Sequence, residues 1–228
     1  MGESTSDYLV FRINPYIAVI LGGIGLTIVL ILQFYVRKYI PWVYWLAVTM
    51  VAIFGTMAAD VLHIQFGVPY IVSTLFFAVI LTAVFIVWKR TEHTLSIHTI
   101  NNPRREMFYW ATVLATFALG TAAGDMTAVT LGWGYFTSGL LFAGLILIPA
   151  IGYWKFGFNE VAAFWAAYIL TRPLGASFAD WMGKSKAVGG LGWGDGVVSL
   201  ILTVFIATCV IYMTQNRAEI KRETVAPQ

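Results

Sequence analysis

Long apolar segments recur along the chain and constrain its fold more than any other feature. A helix needs about 20 mostly apolar residues to cross a bilayer. The charge-poor stretches have this length, and no long segment alternates with the period of two that marks the strands of a membrane barrel. The sequence therefore predicts an all-α polytopic membrane protein. Its seven predicted transmembrane helices span residues 15–36, 41–61, 69–88, 107–125, 133–154, 161–181 and 194–214.

Composition supports a membrane protein and excludes several other classes. Of the 228 residues, 59% are hydrophobic and 11% are charged, whereas soluble domains carry about 25% charged residues. A soluble globule, a nucleic-acid-binding protein and a disordered chain are therefore excluded. The single cysteine, Cys209, allows neither an internal disulfide nor a thiolate metal cluster.

The distribution of basic residues predicts the orientation in the membrane. If the helices alternate in direction, ten basic residues lie on one side, whereas Arg12, Lys184 and Lys186 lie on the other. Because cytoplasmic loops are enriched in Lys and Arg, we predict a bacterial inner-membrane protein with its N-terminus outside and its C-terminus in the cytoplasm. The ten residues are Arg37, Lys38, Lys89, Arg90, Arg104, Arg105, Lys155, Arg217, Lys221 and Arg222.

An internal repeat divides the chain into two-helix units. In three stretches a tryptophan precedes a glycine by ten residues, and that glycine precedes an aspartate by five. Because each unit has two spans, all units have the same orientation in the membrane. The motif residues are Trp45, Gly55 and Asp60; Trp110, Gly120 and Asp125; and Trp165, Gly175 and Asp180. The predicted organisation is a single membrane domain, 1–228, with repeats at 41–90, 106–155 and 160–215 and a cytoplasmic tail at 216–228.

The N-terminal segment carries part of a fourth unit. Residues 2–7, GESTSD, have the glycine-to-aspartate spacing and place Asp7 in the motif. Residues 14–21, NPYIAVIL, are similar to residues 68–75, VPYIVSTL. We therefore interpret residues 1–36 as a truncated repeat that lacks the body of its first helix and its tryptophan. A shortened start and the loss of one helix both explain this pattern, and either puts a closed ring of four repeats in doubt.

With these motifs, the chain resembles a known family: the bacterial uncharacterised membrane-anchored proteins, which consist of four tandem two-helix repeats of unknown function, each with a characteristic tryptophan. The resemblance covers nearly the whole chain. It implies a polytopic inner-membrane protein, and it brings no activity, substrate or catalytic residue with it. The stretches that carry it are YVRKYIPWVYWLAV (35–48), RTEHTLSIHTI (90–100), RREMFYW (104–110), FALGTAAGD (117–125), LLFAGLI (140–146) and AYILTRPLGAS (167–177).

The repeated aspartates are candidate residues of an ion pathway. Parallel repeats place them at similar depth near the outer face, where a ring of carboxylates would concentrate and select cations. The alternative is structural: each aspartate ends a helix and accepts hydrogen bonds from backbone N–H groups of the loop that follows. Asp60 and His63 are in addition candidates for a metal-binding pair. The four aspartates are Asp7, Asp60, Asp125 and Asp180.

The glycines and tryptophans of the motif are expected to pack the units together. Small residues four positions apart let helix backbones approach closely, so we expect the first helices of the units to meet near a pseudo-symmetry axis. Tryptophan combines a large packing surface with anchoring at the membrane interface. The residues assigned to this packing are Gly55, Gly120, Gly124, Gly175, Trp45, Trp110 and Trp165.

Arg172 is an isolated charge inside the sixth predicted helix. An arginine at this depth is costly unless it is paired, hydrated or reaches the membrane surface. Pro173 follows it and leaves the carbonyl of Ile169 without its usual donor. Two roles are therefore open: the guanidinium satisfies freed carbonyls at a kink, or it pairs with a carboxylate on another helix and acts as a gate in the pathway.

These features favour a small transporter or channel for a cation, either a divalent metal or the proton of a proton-coupled solute. The alternative is a non-catalytic scaffold or regulatory protein in which the aspartates anchor the outer loops. We expect no enzyme activity and no cofactor, because the histidines lie in predicted loops and neither a Ser–His–Asp set nor an HExxH motif is evident. The expected partners are the lipid bilayer and a small cation or solute, without nucleic acid, and a homo-oligomer is left open.

Overall fold

The computed structural model describes residues 1–36 and 39–225, with side chains up to residue 216. Every regular element among these residues is helical, which confirms the all-α fold class. The α-helices are α1 (Gly2–Arg12), α2 (Pro15–Val36), α3 (Pro41–Asp60), α4 (Tyr70–Glu92), α5 (Pro103–Asp125), α6 (Tyr135–Phe156), α7 (Glu160–Gly183) and α8 (Asp195–Val225). The parts of the topology prediction outside this description are Arg37, Lys38, residues 226–228 and the side chains of Arg217, Lys221 and Arg222.

Six helices of the described chain are long and apolar enough to cross a membrane: α2, α3, α4, α5, α6 and α8. The protein is therefore a polytopic membrane protein. The remaining predicted span coincides with α7, which has 24 residues and is not among these six apolar helices. Because α7 packs against α1, α5, α6 and α8, its polar residues Arg172 and Asp180 have protein neighbours. Six of the seven predicted spans are therefore apolar enough to cross a membrane by their own composition, and the seventh coincides with the more polar helix α7.

The helices form two layers around a common axis. An inner ring consists of α1, α3, α5 and α7, each packed against its neighbours in that ring. The outer helices α2, α4 and α6 pack on α3, α5 and α7, so the second helix of each unit packs on the first helix of the next. We call the end of the bundle where α3, α5 and α7 finish the Asp end, and the end where these helices begin the Trp end.

The short helix α1 closes the inner ring at the Asp end. The ring is therefore closed even though the first repeat is truncated. Helix α8 returns to pack on α1, as the cyclic pattern of the other units requires. The hydroxyls of Thr5 and Ser199 are 2.5 Å apart across this contact. Gly196 lies so close to Tyr8 that a Cβ atom there would be 2.9 Å from the tyrosine ring. Residues 2–12 therefore complete the fourth position.

Motif glycines form the closest contacts within the inner ring. A Cβ atom added to Gly55 would lie 2.6 Å from the Cβ of Phe117, and one added to Gly120 would lie 2.3 Å from the Cβ of Arg172. The expected approach of helix backbones is therefore confirmed at these positions. Gly175 differs, because nothing lies within 4 Å of a Cβ added there. A Cβ atom added to Gly124 would make an ordinary contact, 3.4 Å from the hydroxyl oxygen of a serine on α7.

A single turn of π-helix follows two of the motif aspartates. Val61–Gln65 continues α3 beyond Asp60, and Met126–Thr130 continues α5 beyond Asp125. Such turns are rare and occur frequently at functional sites. Each turn ends near a glycine with positive φ, +64° at Gly67 in one case, a conformation that glycine adopts without steric cost. The two units therefore leave their aspartates in the same local geometry.

Two of the three motif tryptophans pack in the interior near the Trp end, and the third, Trp45, is half-buried. Trp110 and Trp165 are buried, and the Nε1 of Trp165 donates a hydrogen bond of 2.9 Å to the carbonyl of Leu95. These two side chains pack in the protein interior and do not lie on the lipid-facing surface. Trp42 and Trp154, by contrast, are exposed, in agreement with an aromatic belt.

Candidate functional site

The repeat carboxylates converge at the Asp end of the inner ring. Asp7, Asp60, Asp125 and Asp180 come from α1, α3, α5 and α7, and the structure adds a fifth carboxylate, Glu3, on α1. Asp60, Asp125 and Asp180 each interact electrostatically with Glu3 and Asp7. Glu3, Asp7 and Asp180 are buried, while Asp60 and Asp125 are half-buried. Equivalent positions of the repeat therefore place their charges around one axis, as the sequence predicted.

Lys184 is the lysine that pairs with this cluster. It follows α7 directly, and its Nζ donates a hydrogen bond to Asp7 Oδ2 and lies 3.6 Å from Asp180 Oδ1. Burial alone would lower the pKa of Lys184, but the carboxylates of Asp180 and Asp7 outweigh it and raise the pKa. The lysine therefore stays protonated and ties α1 to α7. Asp195 at the start of α8 adds a further carboxylate near Lys184, and the α-amino group of Met1 lies near Glu3 and Asp180. The carboxylates outnumber these two cations, so the cluster is acidic when they are ionised.

The hydrogen bonds expected if the aspartates only anchored the outer loops are not found in the described part of the chain. No loop N–H donates to the carboxylates of Asp60 or Asp125, and Asp180 Oδ1 is buried without a hydrogen-bond partner. Buried polar atoms are nearly always hydrogen-bonded, so each exception calls for an explanation. For Asp180 Oδ1 the nearby ammonium of Lys184, at 3.6 Å, supplies an ion pair in place of a hydrogen bond, whereas the carboxylates of Asp60 and Asp125 have neither kind of contact among the described residues.

A small polar network lies next to this cluster, on the side that faces the Trp end, and blocks the axis of the inner ring. Glu3 Oε2 accepts hydrogen bonds from the hydroxyls of Thr56 and Thr121, at 3.0 and 2.7 Å. The two hydroxyl oxygens are themselves 3.0 Å apart. Glu3, Thr56 and Thr121 occupy the same repeat position, directly after the motif glycine. The repeat therefore places three polar side chains about one helical turn before the aspartates, on the side of the Trp end.

Arg172 lies beside this network rather than in an ion pair. Its guanidinium carbon is 4.0 Å from the ring centre of Phe117 and 4.2 Å from that of Tyr168. No described carboxylate lies within ion-pairing distance, and the Nε atom has no hydrogen-bond partner. Arg172 and Glu3 both line a cavity of about 210 Å³. Stacking on aromatic rings thus takes the place of the two pairings considered from the sequence.

The proposed metal pair is not formed among the described residues. His63 Nδ1 lies 2.8 Å from the carbonyl oxygen of Val68, and the imidazole stacks on Tyr70 with ring centres 3.5 Å apart. The histidine is therefore engaged by its own loop instead of facing Asp60. In addition, no three histidine, cysteine, aspartate or glutamate side chains in the described chain are placed to hold a metal ion.

Two residues of the site escaped the sequence reasoning, although each carried a signal. Glu3 follows the motif glycine of the truncated unit, so alignment with Thr56 and Thr121 would have placed it on the axis. Lys184 lies four residues after Asp180, a spacing that brings side chains together at the end of a helix. In the prediction of membrane orientation Lys184 contributes only as a basic residue of an outer loop.

Comparison with known families matches the repeat unit found in the sequence. The description of the matching family is Repeat of Unknown Function (DUF347), and the matched segments are residues 43–94, 108–157 and 163–218. The chain belongs to the DUF347 repeat family. Each DUF347 segment begins two residues before a motif tryptophan, so the family repeat and the structural unit coincide. No curated protein and no solved structure matches the chain.

Proposed function

We propose that this DUF347 protein is a small transporter or channel for cations in a bacterial inner membrane. In this proposal the Asp end faces the outside, so that the N-terminus is external and the C-terminus cytoplasmic, as the distribution of basic residues predicts. The observation that carries the proposal is the convergence of repeat carboxylates that receive no hydrogen bond from the outer loops.

The charge of this cluster would attract cations to the axis. A cleft lined by one sign of charge concentrates counter-ions and speeds their arrival. Lys184 is held by Asp7 and Asp180, which leaves Asp60 and Asp125 without a cationic partner among the described residues. These two carboxylates are therefore the ones that would meet the transported ion.

The geometry favours a cation that passes from one carboxylate to the next. Because no three acidic or histidine side chains in the described chain are placed closely enough to hold one metal ion, the site lacks the dense oxygen shell of a tight divalent-metal centre. A hydrated cation, or a proton that moves with a solute, needs only one carboxylate at a time. Of the two kinds of cargo considered from the sequence, the proton-coupled solute fits this arrangement better.

Passage requires a change of conformation, because Glu3, Thr56 and Thr121 close the axis. The π-helical turns after Asp60 and Asp125 and Pro173 within α7 are the points where the inner helices depart from regular α-helical hydrogen bonding. We propose that rearrangement at these points opens the network. In the scaffold alternative no such opening exists, and in neither case is an enzymatic reaction required.

The experiment that tests the proposal is ion uptake by sealed liposomes that contain the purified protein. Wild-type protein is compared with the triple variant Asp60→Asn, Asp125→Asn, Asp180→Asn for a panel of monovalent cations, divalent cations and protons. Glu160→Gln is the control, because Glu160 is an exposed carboxylate at the Trp end. We expect uptake of at least one cation by the wild type and the control, and its loss in the triple variant. Uptake that persists in the triple variant would refute the proposal, and absence of uptake for every ion would favour the scaffold.

A further inference from the structure

A second cavity, at the Trp end, is built differently from the carboxylate cluster. It encloses about 710 Å³ between the end of α2, the beginnings of α3, α5 and α7, and the connection between α4 and α5. Cavities of about 300–1,000 Å³ are typical of small-molecule sites. Neither the DUF347 repeat nor the proposed ion pathway assigns it a role.

Aromatic rings form much of the cavity wall. Seven of its fourteen lining residues are aromatic. Several of these rings are fixed by one another: the hydroxyls of Tyr44 and Tyr109 are 2.5 Å apart, and the ring centres of Phe164 and Tyr168 are 5.6 Å apart. The wall is therefore an ordered aromatic surface. The seven aromatic residues are Phe34, Tyr39, Tyr44, Tyr109, Trp110, Phe164 and Tyr168.

A single formal charge lies among the described lining residues, the carboxylate of Glu106. Its Oε1 accepts hydrogen bonds from Gln33 Nε2 at 2.9 Å and from Trp110 Nε1 at 3.4 Å. These contacts fix the carboxylate against the wall. No described lysine, arginine or histidine pairs with Glu106, and no described group donates to its Oε2. The negative charge of the cavity is therefore not compensated within the described chain.

Gln33 gives a second, independent indication of a ligand. The side chain is buried, with 7% of its surface exposed, and its Oε1 has no hydrogen-bond partner. A buried acceptor without a donor is expensive to maintain. A ligand with N–H groups would satisfy both this amide oxygen and the free oxygen of Glu106.

We propose that this cavity binds a small organic amine in its protonated form. The ammonium group would lie between Glu106 and Gln33, and its apolar or aromatic body would lie against the tyrosine and phenylalanine rings. Rings attract cations through their negative faces, and a carboxylate adds a charge-assisted hydrogen bond. An anion would meet Glu106 as a like charge, and a neutral molecule would offer this carboxylate no ion pair. Arg172, the nearby intramembrane cation, stacks on Phe117 and Tyr168 instead.

The amine site is independent of the proposed ion pathway, because its residues do not belong to the carboxylate cluster. The test measures equilibrium binding to the full-length protein in detergent by calorimetry. The probes are phenethylamine, which is protonated at pH 7, and 2-phenylethanol, which has nearly the same shape and no charge. We expect saturable binding of the amine and affinity at least about tenfold weaker for the alcohol.

Variants separate the charge from the shape of the site. Glu106→Gln keeps the side-chain shape, and we expect it to weaken amine binding by about tenfold or more while binding of the alcohol stays unchanged. Phe164→Leu removes one ring and should weaken amine binding about threefold or more without touching the carboxylate. Glu160 is an exposed carboxylate outside the cavity, so Glu160→Gln should change neither amine binding nor alcohol binding.

Three results would overturn the amine proposal. The first is no saturable binding of phenethylamine at millimolar concentration. The second is equal affinity for the amine and the alcohol, which would indicate a merely apolar cavity. The third is amine binding that survives both Glu106→Gln and Phe164→Leu, which would place the amine elsewhere on the protein.

Discussion

The contrast between Gly120 and Gly175 gives a sharp test of the packing of the inner ring. The two residues are equivalent in the repeat, and both lie inside a helix. A Cβ at Gly120 would be 2.3 Å from the Cβ of Arg172, 2.9 Å from its carbonyl carbon and 3.0 Å from the nitrogen of Pro173. Two of these three atoms belong to the backbone, so α5 and α7 would have to separate. A Cβ at Gly175 would meet nothing within 4 Å.

The two substitutions should change the free energy of unfolding in opposite directions. Overpacking costs about 1–3 kcal/mol, and Gly120→Ala should lie in the upper part of this range because backbone cannot move aside as a side chain does. Alanine in place of glycine within a helix stabilises the folded state by up to about 1 kcal/mol. Gly120→Ala should therefore lower the free energy of unfolding by about 2 kcal/mol, and Gly175→Ala should raise it by up to about 1 kcal/mol.

The assay is unfolding of the purified variants in mixed micelles, followed by tryptophan fluorescence and near-UV circular dichroism. The two variants carry the same substitution at equivalent positions, so differences in helix propensity cancel in the comparison. We expect the midpoint of Gly120→Ala to lie below that of the wild type and the midpoint of Gly175→Ala at or above it. Equal shifts in the same direction would refute the close approach of α5 and α7 at Gly120.

Two further predictions concern residues that hold the ends of the bundle. Lys184→Gln leaves Asp7 and Asp180 without their cation and should lower the free energy of unfolding by about 3 kcal/mol at pH 7. The pKa of Lys184 is raised in the folded state. The stabilisation by this lysine is therefore present in full below the unfolded-state pKa of about 10.4 and declines only above it. The difference in unfolding free energy between wild type and variant should stay constant from pH 7 to about pH 10. Trp165→Phe removes the donor to the carbonyl of Leu95 and should cost about 1–3 kcal/mol, whereas Trp154→Phe, at a side chain 79% exposed, should leave the unfolding midpoint within error of the wild type.

Much of the architecture could be predicted from the sequence because helix length and repeat spacing are local properties. Runs of apolar residues predicted α2 to α6 and α8, and the spacing from Gly55 to Asp60 identified the same element in α1, where residues 2–7 repeat it. Apolar composition is a weaker signal at α7, since its polar residues are buried by neighbouring helices. Burial of that kind is a tertiary property.

The arrangement of the site was less accessible to sequence reasoning. The depth of Asp60, Asp125 and Asp180 followed from the repeat, because equivalent residues in parallel units share a position along the axis. The stacking of Arg172 on two rings and the capture of His63 by its own loop depend on side chains that only the folded chain brings together. The cavity at the Trp end has no sequence signature for the same reason, as five separate segments build it.

The most direct test of the ion pathway uses Asp60 and Asp125 alone. Among the described residues neither carboxylate has a hydrogen bond or an ion pair, so the double variant Asp60→Asn, Asp125→Asn should remove charge without removing a structural contact. Cation uptake into liposomes and the unfolding midpoint are measured on the same preparation. The account predicts uptake at least about tenfold below the wild type, with a midpoint that is unchanged or raised by the loss of like-charge repulsion. Uptake equal to that of the wild type, or a midpoint that falls together with uptake, would contradict it.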